Sequence, residues 1–559
     1  MKRLGLLCAL FGVVALIARP AAMIPEQVRI DTGLLSGVAG TSQPTVRAFK
    51  GIPFAAPPLG ENRWKAPQPA AKWDGVRKAD AFGAPCAAGA PFGGRGGGGG
   101  RGAAPGAAAP AQAPAAPAAP PREPARAEDC LYANVWTSAT SANDKRPVMV
   151  WIYGGGFSGG SGGLAWYDGE ALAAKGPVIV TFNYRLGSLG FFAHPDLAKE
   201  AGHPGSGNYG MMDAIAMLQW VKRNIAAFGG DPGKVTIAGE SAGAIMVGAL
   251  VGSPQAKGLF TRAISQSGGW MGLQMGRMRP ASAAEADGVK AMDALKVASI
   301  AELRAKPLNE LTIQGQSGLV IDGYLIPEDL SLTFQAGKQN MVDVLTGSNA
   351  DEANFGICPG AGLNGRAGGT PMTAANLRAQ AERRFGTEAA DAFVKMYGVN
   401  TDADAPKAAH VACGDEVNWN MRQWAAGHAA KGKKAYTYFF THVQNVNGQP
   451  SPQGAKHTAE LSFMFNNPKG QPTQTWTDVD MKVADQMSSY WANFIMKGDP
   501  NGSGLPQWPE YKTLTGGKVM VFGDTPQVET AAPAAKLQFY TAAYQRMLRS
   551  STNSVSLRL

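Results

Sequence analysis

The feature that most constrains this chain is a glycine-flanked serine between a predicted strand and a predicted helix. The residues Gly239-Glu240-Ser241-Ala242-Gly243 follow a short, apolar and partly β-branched run at 234–238, which is typical of a buried parallel strand. The small and aliphatic residues at 242–250 are typical of a tightly packed helix. Glycines two positions on either side of the serine permit the sharp turn that presents its Oγ at a helix N-terminus. G-x-S-x-G often occurs by chance, but between this strand and this helix it predicts a nucleophile.

Strand and helix signals alternate along most of the chain. Besides 234–238, apolar runs predict strands at 148–153, 177–182, 342–346, 435–440 and 519–522. The segment 210–228 has apolar residues at helical spacing and ends at Gly229-Gly230, so it is a predicted helix. Strands interleaved with helices predict an α/β fold with a mostly parallel central sheet covered by helices on both faces. No internal repeat is apparent, and we expect residues 23–559 to form a single large domain.

The amino-acid composition argues for a large folded core and against a nucleic-acid-binding function. The chain has 559 residues, of which 45% are hydrophobic and 17% charged, so it can bury a large core. The formal net charge is +10, but the basic residues are scattered rather than grouped with aromatic residues. Nucleic-acid binding is therefore not expected.

The N-terminus has the pattern of a secretory signal peptide. Lys2-Arg3 precedes an apolar stretch at 4–17 and the small-residue sequence at 18–22, which predicts cleavage after residue 22. The alternative is an uncleaved anchor, although the apolar run is short for a membrane span. We expect a secreted or periplasmic protein without stable membrane insertion.

Cys8 lies in the predicted signal peptide, so the mature chain would keep four cysteines: Cys86, Cys130, Cys358 and Cys413. An even number in an exported chain predicts two disulfides, and four cysteines allow three pairings. Pairing sequence neighbours, Cys86 with Cys130 and Cys358 with Cys413, is the simplest choice. No Cys-x-x-Cys motif or His-rich cluster indicates zinc.

A Gly/Ala/Pro-rich tract occupies residues 87–127, between the first two of these cysteines. It offers few side chains that a core could bury, so we expect a disordered surface loop. Sequence typical of ordered structure continues on both sides. The tract is therefore predicted to be an insertion within the domain and not a linker between domains.

A serine nucleophile needs a base and a group that orients the base, in the chain order serine, acid, histidine. His457 lies in a predicted loop before an apolar segment and is the main candidate for the base; His442, at the end of a predicted strand, is the alternative. His410 and His428 have helix-like surroundings that indicate surface or packing roles. For the acid, the strand at 342–346 runs into a polar turn that contains two adjacent candidates, Asp351 and Glu352. Such a turn places a carboxylate at the sheet edge where ligands bind.

The third element is a glycine run, Tyr153-Gly154-Gly155-Gly156-Phe157, directly after the strand at 148–152. An acyl-transfer oxyanion needs fixed N–H donors, and glycine lets a substrate approach the backbone. The N–H groups of Gly155, Gly156 and Ala242 are the predicted oxyanion hole.

Together these blocks resemble the type-B carboxylesterase and cholinesterase family of α/β-hydrolases, over about residues 28–522. Further blocks that carry the resemblance are Phe49-Lys50-Gly51-Ile52-Pro53-Phe54-Ala55, Glu128-Asp129-Cys130-Leu131-Tyr132-Ala133-Asn134-Val135, Phe182-Asn183-Tyr184-Arg185, Asn208-Tyr209-Gly210, Phe228-Gly229-Gly230-Asp231-Pro232 and Gly498-Asp499-Pro500-Asn501.

The resemblance implies an α/β-hydrolase fold and assigns roles by position. It implies Ser241 as nucleophile, Glu352 as acid and His457 as base. It also implies the oxyanion hole named above, a Cys86–Cys130 disulfide, and positions that support the histidine at Glu240 and Ser267.

The expected function is a serine carboxylic-ester hydrolase that acts on small-molecule esters through an acyl-enzyme and needs no metal or organic cofactor. The alternatives are a serine amidase and a non-catalytic adhesion or scaffold relative. The stretch between Cys86 and Cys130 has no tryptophan, so a quaternary-ammonium substrate that stacks on an indole is not expected. The Gly/Pro-rich insertion also departs from the family pattern.

Overall fold

The computed structural model describes residues 23–88, 124–271, 278–311, 313, 315–355, 372–470, 474–530 and 533–556. In chain order the strands are β1 Gln27–Ile30, β2 Gly33–Ser36, β3 Val38–Ala39, β4 Arg47–Pro53, β5 Val76–Lys78, β6 Tyr132–Thr137, β7 Arg146–Ile152, β8 Val178–Phe182, β9 Gly230–Glu240, β10 Arg262–Gln266, β11 Arg279–Pro280, β12 Val320–Ile321, β13 Asp343–Asn349, β14 Ala435–Phe440, β15 Asn445–Val446, β16 Gln449–Pro450, β17 Gln474–Thr475, β18 Lys518–Phe522 and β19 Gln527–Thr530.

The α-helices are α1 Glu170–Ala174, α2 Gly187–Phe191, α3 Pro195–Ala201, α4 Tyr209–Asn224, α5 Ala242–Gly252, α6 Ala281–Ala294, α7 Ile300–Ala305, α8 Leu330–Gln335, α9 Ala374–Phe385, α10 Thr387–Met396, α11 Ala405–Ala429, α12 Leu461–Met464, α13 Asp478–Lys497 and α14 Ala534–Ser556. Short 3₁₀ turns lie at Gly60–Asn62, Ala165–Tyr167, Ile225–Phe228, Pro254–Ala256, Leu308–Glu310, Glu352–Phe355 and Pro468–Gly470.

A large mixed sheet of eleven strands organises the molecule, in the order β19-β18-β14-β13-β10-β9-β7-β8-β6-β4-β3. The central run from β18 to β8 is parallel, and the strands at both edges pair antiparallel. Central strands such as β7 and β8 are almost entirely buried, as expected for strands covered on both faces. The predicted mostly parallel α/β sheet in a single domain is confirmed.

Helices α4, α5, α11 and α13 pack against the sheet, and their contacts form one main hydrophobic core. The boundaries of α13 follow from local chemistry. Thr477 and Asp480 form a reciprocal capping box at its start, and Gly498 ends it with a left-handed φ of 73°, a conformation that glycine adopts without steric cost.

The predicted strands and helix are present with small shifts at their ends. The strand predicted at 234–238 is longer and spans Gly230–Glu240, while the helix predicted at 210–228 is α4 followed by the 3₁₀ turn Ile225–Phe228. Two strands of the main sheet that the sequence patterns did not predict are the central strand β10 and the edge strand β19, which follows the strand predicted at 519–522. All four residues of β19 are exposed, so this edge strand has no apolar alternation to reveal it.

Cys86 and Cys130 form the disulfide that the resemblance implies. It closes the base of the Gly/Ala/Pro insertion, where the N–H of Ala87 donates to the carbonyl of Ala127 at 2.9 Å. Residues 89–123 of the insertion and the predicted signal peptide at 1–22 lie outside the described residues. Within the described ranges, none of the helices combines the length and apolar character that crossing a bilayer requires.

Candidate active site

Ser241 occupies the turn between β9 and α5. Its backbone has φ 55° and ψ −125°, a left-handed conformation that non-glycine residues rarely adopt and that concentrates at functional sites. The N–H of Ser241 donates to the carbonyl of Gln266 on neighbouring β10 at 2.9 Å, which fixes the turn against the sheet. The side chain is half-buried, so its hydroxyl is held in place and remains accessible.

The two glycines of the motif are required by close packing. A Cβ at Gly243 would lie 1.9 Å from the carbonyl oxygen of Ile152, and a Cβ at Gly239 would lie 2.6 Å from the carbonyl of Gly243. Any larger residue at either position would push α5 away from β7 and β9. These contacts explain physically why small residues flank the serine.

The glycine run after β7 lies directly beside this turn. A Cβ at Gly154 would lie 2.9 Å from Cβ of Ser241 and 2.8 Å from Oε2 of Glu240. Gly155 and Gly156 follow with φ values of 115° and 61° and are exposed. Ala242 is the first residue of α5, so its N–H has no acceptor within the helix. The three predicted oxyanion donors therefore lie on the segments that surround Ser241.

Glu352 and His457 meet in the buried interior next to this turn. Oε2 of Glu352 lies 2.6 Å from Nδ1 of His457, and the other carboxylate oxygen accepts a 2.8 Å hydrogen bond from the N–H of Asn349. Both side chains are almost fully buried. A carboxylate held at Nδ1 favours the imidazole tautomer that carries its proton on Nδ1, so that Nε2 is the basic nitrogen.

Nε2 of His457 lies 3.0 Å from Oε1 of Glu240, the residue before the serine. Burial alone lowers the pKa of His457, but the carboxylates of Glu240 and Glu352 outweigh burial and raise it to about 9. Burial raises the pKa of Glu240 to about 8, with Glu460 and Glu352 adding to the effect and His457 opposing it. Strongly perturbed buried groups of this kind are typical of active sites.

Glu460 is a member of this cluster that the sequence analysis missed. Its carboxylate accepts hydrogen bonds from the side chains of Gln266 at 3.0 Å and Asn349 at 2.6 Å, and burial raises its pKa. Trp491 in turn donates to Gln266 at 3.0 Å. The network joins β10, β13 and the His457 loop. A glutamate in the mostly apolar segment 459–465 was the available signal.

Asp351, the alternative acid, makes different contacts. Its N–H donates to the carbonyl of Ala455 at 3.0 Å, and its Oδ2 accepts from the N–H of Ala455 at 2.9 Å. Nε2 of His410 lies 3.8 Å from its other oxygen. Asp351 therefore fastens the loop that precedes His457, while the adjacent Glu352 points to the imidazole.

The other predicted residues have separate environments. Both ring nitrogens of His442 contact carboxylates, Asp524 at 2.7 Å and Asp480 at 2.8 Å. His428 is buried with Nδ1 at 2.8 Å from the carbonyl of Val342, and burial lowers its pKa to about 4. Ser267 is buried with a left-handed φ of 55°, and its Oγ has no hydrogen-bond partner in the described chain. Its supporting role stays a prediction.

Two further predictions concern metal and the second disulfide. Among the described residues, no group of three or more His, Cys, Asp or Glu side chains is arranged to hold a metal ion. The predicted Cys358–Cys413 pair includes Cys358, which lies outside the described residues, so this pairing stays a prediction.

Comparisons with known proteins agree with this geometry. The model of the carboxylesterase family matches residues 25–540. The fumonisin B1 esterase of Sphingopyxis macrogoltabida is 34% identical over 521 residues, covering 89% of this chain and 87% of that protein. Liver carboxylesterase 1F of Rattus norvegicus is 29% identical over 554 residues, covering 91% of each chain.

Solved structures show the same likeness. A carboxylesterase of Geobacillus stearothermophilus, EST55, superposes with a TM-score of 0.73 at 30% identity, covering 93% of this chain and 100% of that chain. A PNB esterase superposes with a TM-score of 0.74 at 27% identity, covering 92% and 99%.

The sheet, the strand-turn-helix serine and these structural neighbours define an α/β-hydrolase. Within that class, the chain belongs to the carboxylesterase family. The family is one of carboxylic ester hydrolases, and the resemblance recognised from the sequence motifs is confirmed.

Proposed function

We propose that this protein hydrolyses small-molecule carboxylic esters through an acyl-enzyme, with Ser241, His457 and Glu352 as its catalytic triad. The observation that carries the proposal is the 2.6 Å contact between Glu352 and Nδ1 of His457 beside the Ser241 turn. A serine hydroxyl is a weak nucleophile unless a base removes its proton and a third group orients that base.

In the first half-reaction, Oγ of Ser241 attacks the ester carbonyl carbon while its proton passes to Nε2 of His457. The carbonyl electrons move to the oxygen, forming a tetrahedral oxyanion. When this intermediate collapses, the carbon–oxygen bond to the alcohol breaks and His457 returns its proton to the departing alkoxide. The products are a free alcohol and an acyl group on Ser241.

Water repeats the sequence in the second half-reaction. His457 removes a proton from water as its oxygen attacks the acyl carbon, and the proton then returns to Oγ of Ser241 as the acid leaves. Glu352 holds the imidazole orientation in both halves and stabilises the imidazolium. The N–H groups of Gly155, Gly156 and Ala242 bind the oxyanion, for which one donor is typically worth about 3–4 kcal/mol of barrier.

The substrate and the cellular location belong to the same proposal. The likeness to a fumonisin B1 esterase supports fumonisin B1 as the first named ester to test. The signal-like N-terminus and the Cys86–Cys130 disulfide support a secreted or periplasmic location, because structural disulfides persist in oxidising compartments.

A rapid-mixing experiment with an activated aryl ester tests the mechanism. We expect a burst of about one phenol per chain followed by slower steady turnover, which is the kinetic fingerprint of an accumulating acyl-enzyme. The Ser241→Ala variant should show neither phase, while Ser489→Ala, at a partly buried serine on α13 far along the chain, should behave as the wild type. Steady hydrolysis that survives in Ser241→Ala would overturn the assignment.

A further inference from the structure

A second cleft lies on the surface between α3, α4 and the segments around residues 64–67 and 324–325. It has a volume of about 610 Å³, within the range of small-molecule binding sites. All of its lining residues lie in the described chain, and Ser241, Glu352 and His457 are not among them. The cleft is therefore separate from the candidate active site.

The floor of the cleft is apolar. Leu197 from α3, Ile215 from α4 and Leu325 are buried side chains that line it. Met212 and Ala216, on the same face of α4, complete this surface. A ligand that covers the floor would remove apolar area from water, at roughly 25 cal/mol per Å² before the costs of binding.

The walls are flat aromatic rings. His203 stacks on Tyr324 with 4.2 Å between ring centroids and an interplanar angle of 14°. Trp64 and Tyr209 also line the cleft but are almost fully buried, so the half-buried His203–Tyr324 pair is its main ring surface. Flat walls of this kind favour a planar, aromatic ligand.

Trp64 supplies an independent sign of function. Its φ of 54° is left-handed, which is a true outlier for so bulky a residue. The neighbourhood holds it there, because Nε1 of Trp64 donates to the carbonyl of Ser188 at 2.8 Å and Arg185 donates to the carbonyl of Lys65 at 2.8 Å. Backbone strain that several contacts maintain is characteristic of ligand clamps.

The charges at the rim are paired with one another. Both carboxylate oxygens of Glu200 accept from Arg304, at 2.8 and 3.0 Å, and Nζ of Lys65 lies 3.5 Å from Glu200. Gln219 and Gln255 add neutral hydrogen-bonding groups. Nζ of Lys65 also lies 3.9 Å from Glu61, so two cations face two carboxylates. The rim therefore has no net charge that would recruit an ion, but it offers donors and acceptors to an uncharged polar group.

From these observations we infer that the cleft is a second ligand site, which binds an uncharged aromatic molecule carrying one hydrogen-bonding group. The aromatic body packs against the stacked His203–Tyr324 pair and over the apolar floor, and the polar group reaches the rim. This site does not depend on the proposed catalytic mechanism.

The test measures binding of 2-naphthol, which is neutral at pH 7, by equilibrium dialysis against the full chain. The candidate active site is first blocked by reaction with a fluorophosphonate, so that any remaining site is elsewhere. Ala216→Trp fills the cleft with an indole. Lys222→Trp adds the same side chain at an exposed position of the same helix and is the matched control.

We expect the blocked wild type and the blocked Lys222→Trp variant to bind one 2-naphthol per chain with the same affinity. Ala216→Trp should bind it at least tenfold more weakly while retaining wild-type ester turnover before blocking. If Ala216→Trp does not fold, Met212→Trp closes the same cleft and serves in its place. Absence of saturable binding to the blocked wild type, or equal binding by the cleft-filling variant, would overturn the inference.

Discussion

The carboxylate of Glu352 lies 2.6 Å from Nδ1 of His457, although the two residues are 105 positions apart in the chain. Glu352 follows the carboxyl end of β13, and His457 lies in a loop held beside it by Asn349, whose side chain donates to the carbonyl of Lys456 at 2.8 Å. The central sheet thus brings together a carboxylate, an imidazole and the serine turn after β9.

Replacing the carboxylate of Glu352 should lower kcat far more than replacing that of the adjacent Asp351. Glu352→Gln keeps the size of the side chain but removes the charge that stabilises the imidazolium, so we expect kcat to fall about 10³–10⁴-fold. Asp351→Asn keeps an oxygen that can accept from Ala455, so kcat should stay within about tenfold of the wild type. Steady-state kinetics on one ester compares the two, and the reverse order of effects would make Asp351 the triad acid.

The pH dependence of kcat/KM should show the coupling between His457 and Glu240. The imidazole must lose its proton to act as a base, and its pKa is raised to about 9, so activity should rise with pH into the alkaline range. Glu240→Gln removes a carboxylate that raises this pKa and should move the acidic limb to lower pH.

Glu388→Gln, at an exposed position on α10, makes the same charge change away from the site and is the control. Its profile should coincide with that of the wild type. An acidic limb that stays in place in Glu240→Gln would contradict the electrostatic account.

The two glycines proposed as oxyanion donors, Gly155 and Gly156, should respond differently to replacement by alanine. A Cβ at Gly155 would lie 2.5 Å from the carbonyl oxygen of Gly159, whereas a Cβ at Gly156 meets nothing within 4 Å. Gly155→Ala should displace its N–H and lower kcat by about 10²–10³-fold. Gly156→Ala should cost about 1 kcal/mol of stability from its left-handed φ and affect kcat less. Kinetics and thermal unfolding of both variants check this, and equal losses of kcat would argue against the steric explanation.

Removing the Cys86–Cys130 disulfide should destabilise the protein. The bond joins residues 44 positions apart, and its loss releases conformational entropy to the unfolded chain worth about 2–4 kcal/mol. The Cys86→Ser/Cys130→Ser double variant should therefore unfold at a lower temperature in a thermal scan without reductant. An unchanged Tm would show that the bond does not form in solution or adds nothing to stability.

Local patterns predicted the serine turn, the glycine run and the parallel central strands other than β10, because each depends on residues close together in sequence. The choice between Asp351 and Glu352 did not follow from the residues themselves, because it depends on which way each side chain leaves the turn. Glu460 was missed because its partners, Gln266 and Asn349, come from two distant strands. The edge strand β19 was missed because all four of its residues are exposed.

The most direct test of the central claim is covalent labelling by a fluorophosphonate, followed by mass spectrometry of the digested protein. We predict one label per chain, on the peptide that contains Ser241. The Ser241→Ala variant should not be labelled, and the His457→Ala variant should be labelled much more slowly than the wild type. Because fluorophosphonates react with activated serines, an unlabelled protein, or a label on another serine, would contradict the assignment of Ser241 as the nucleophile.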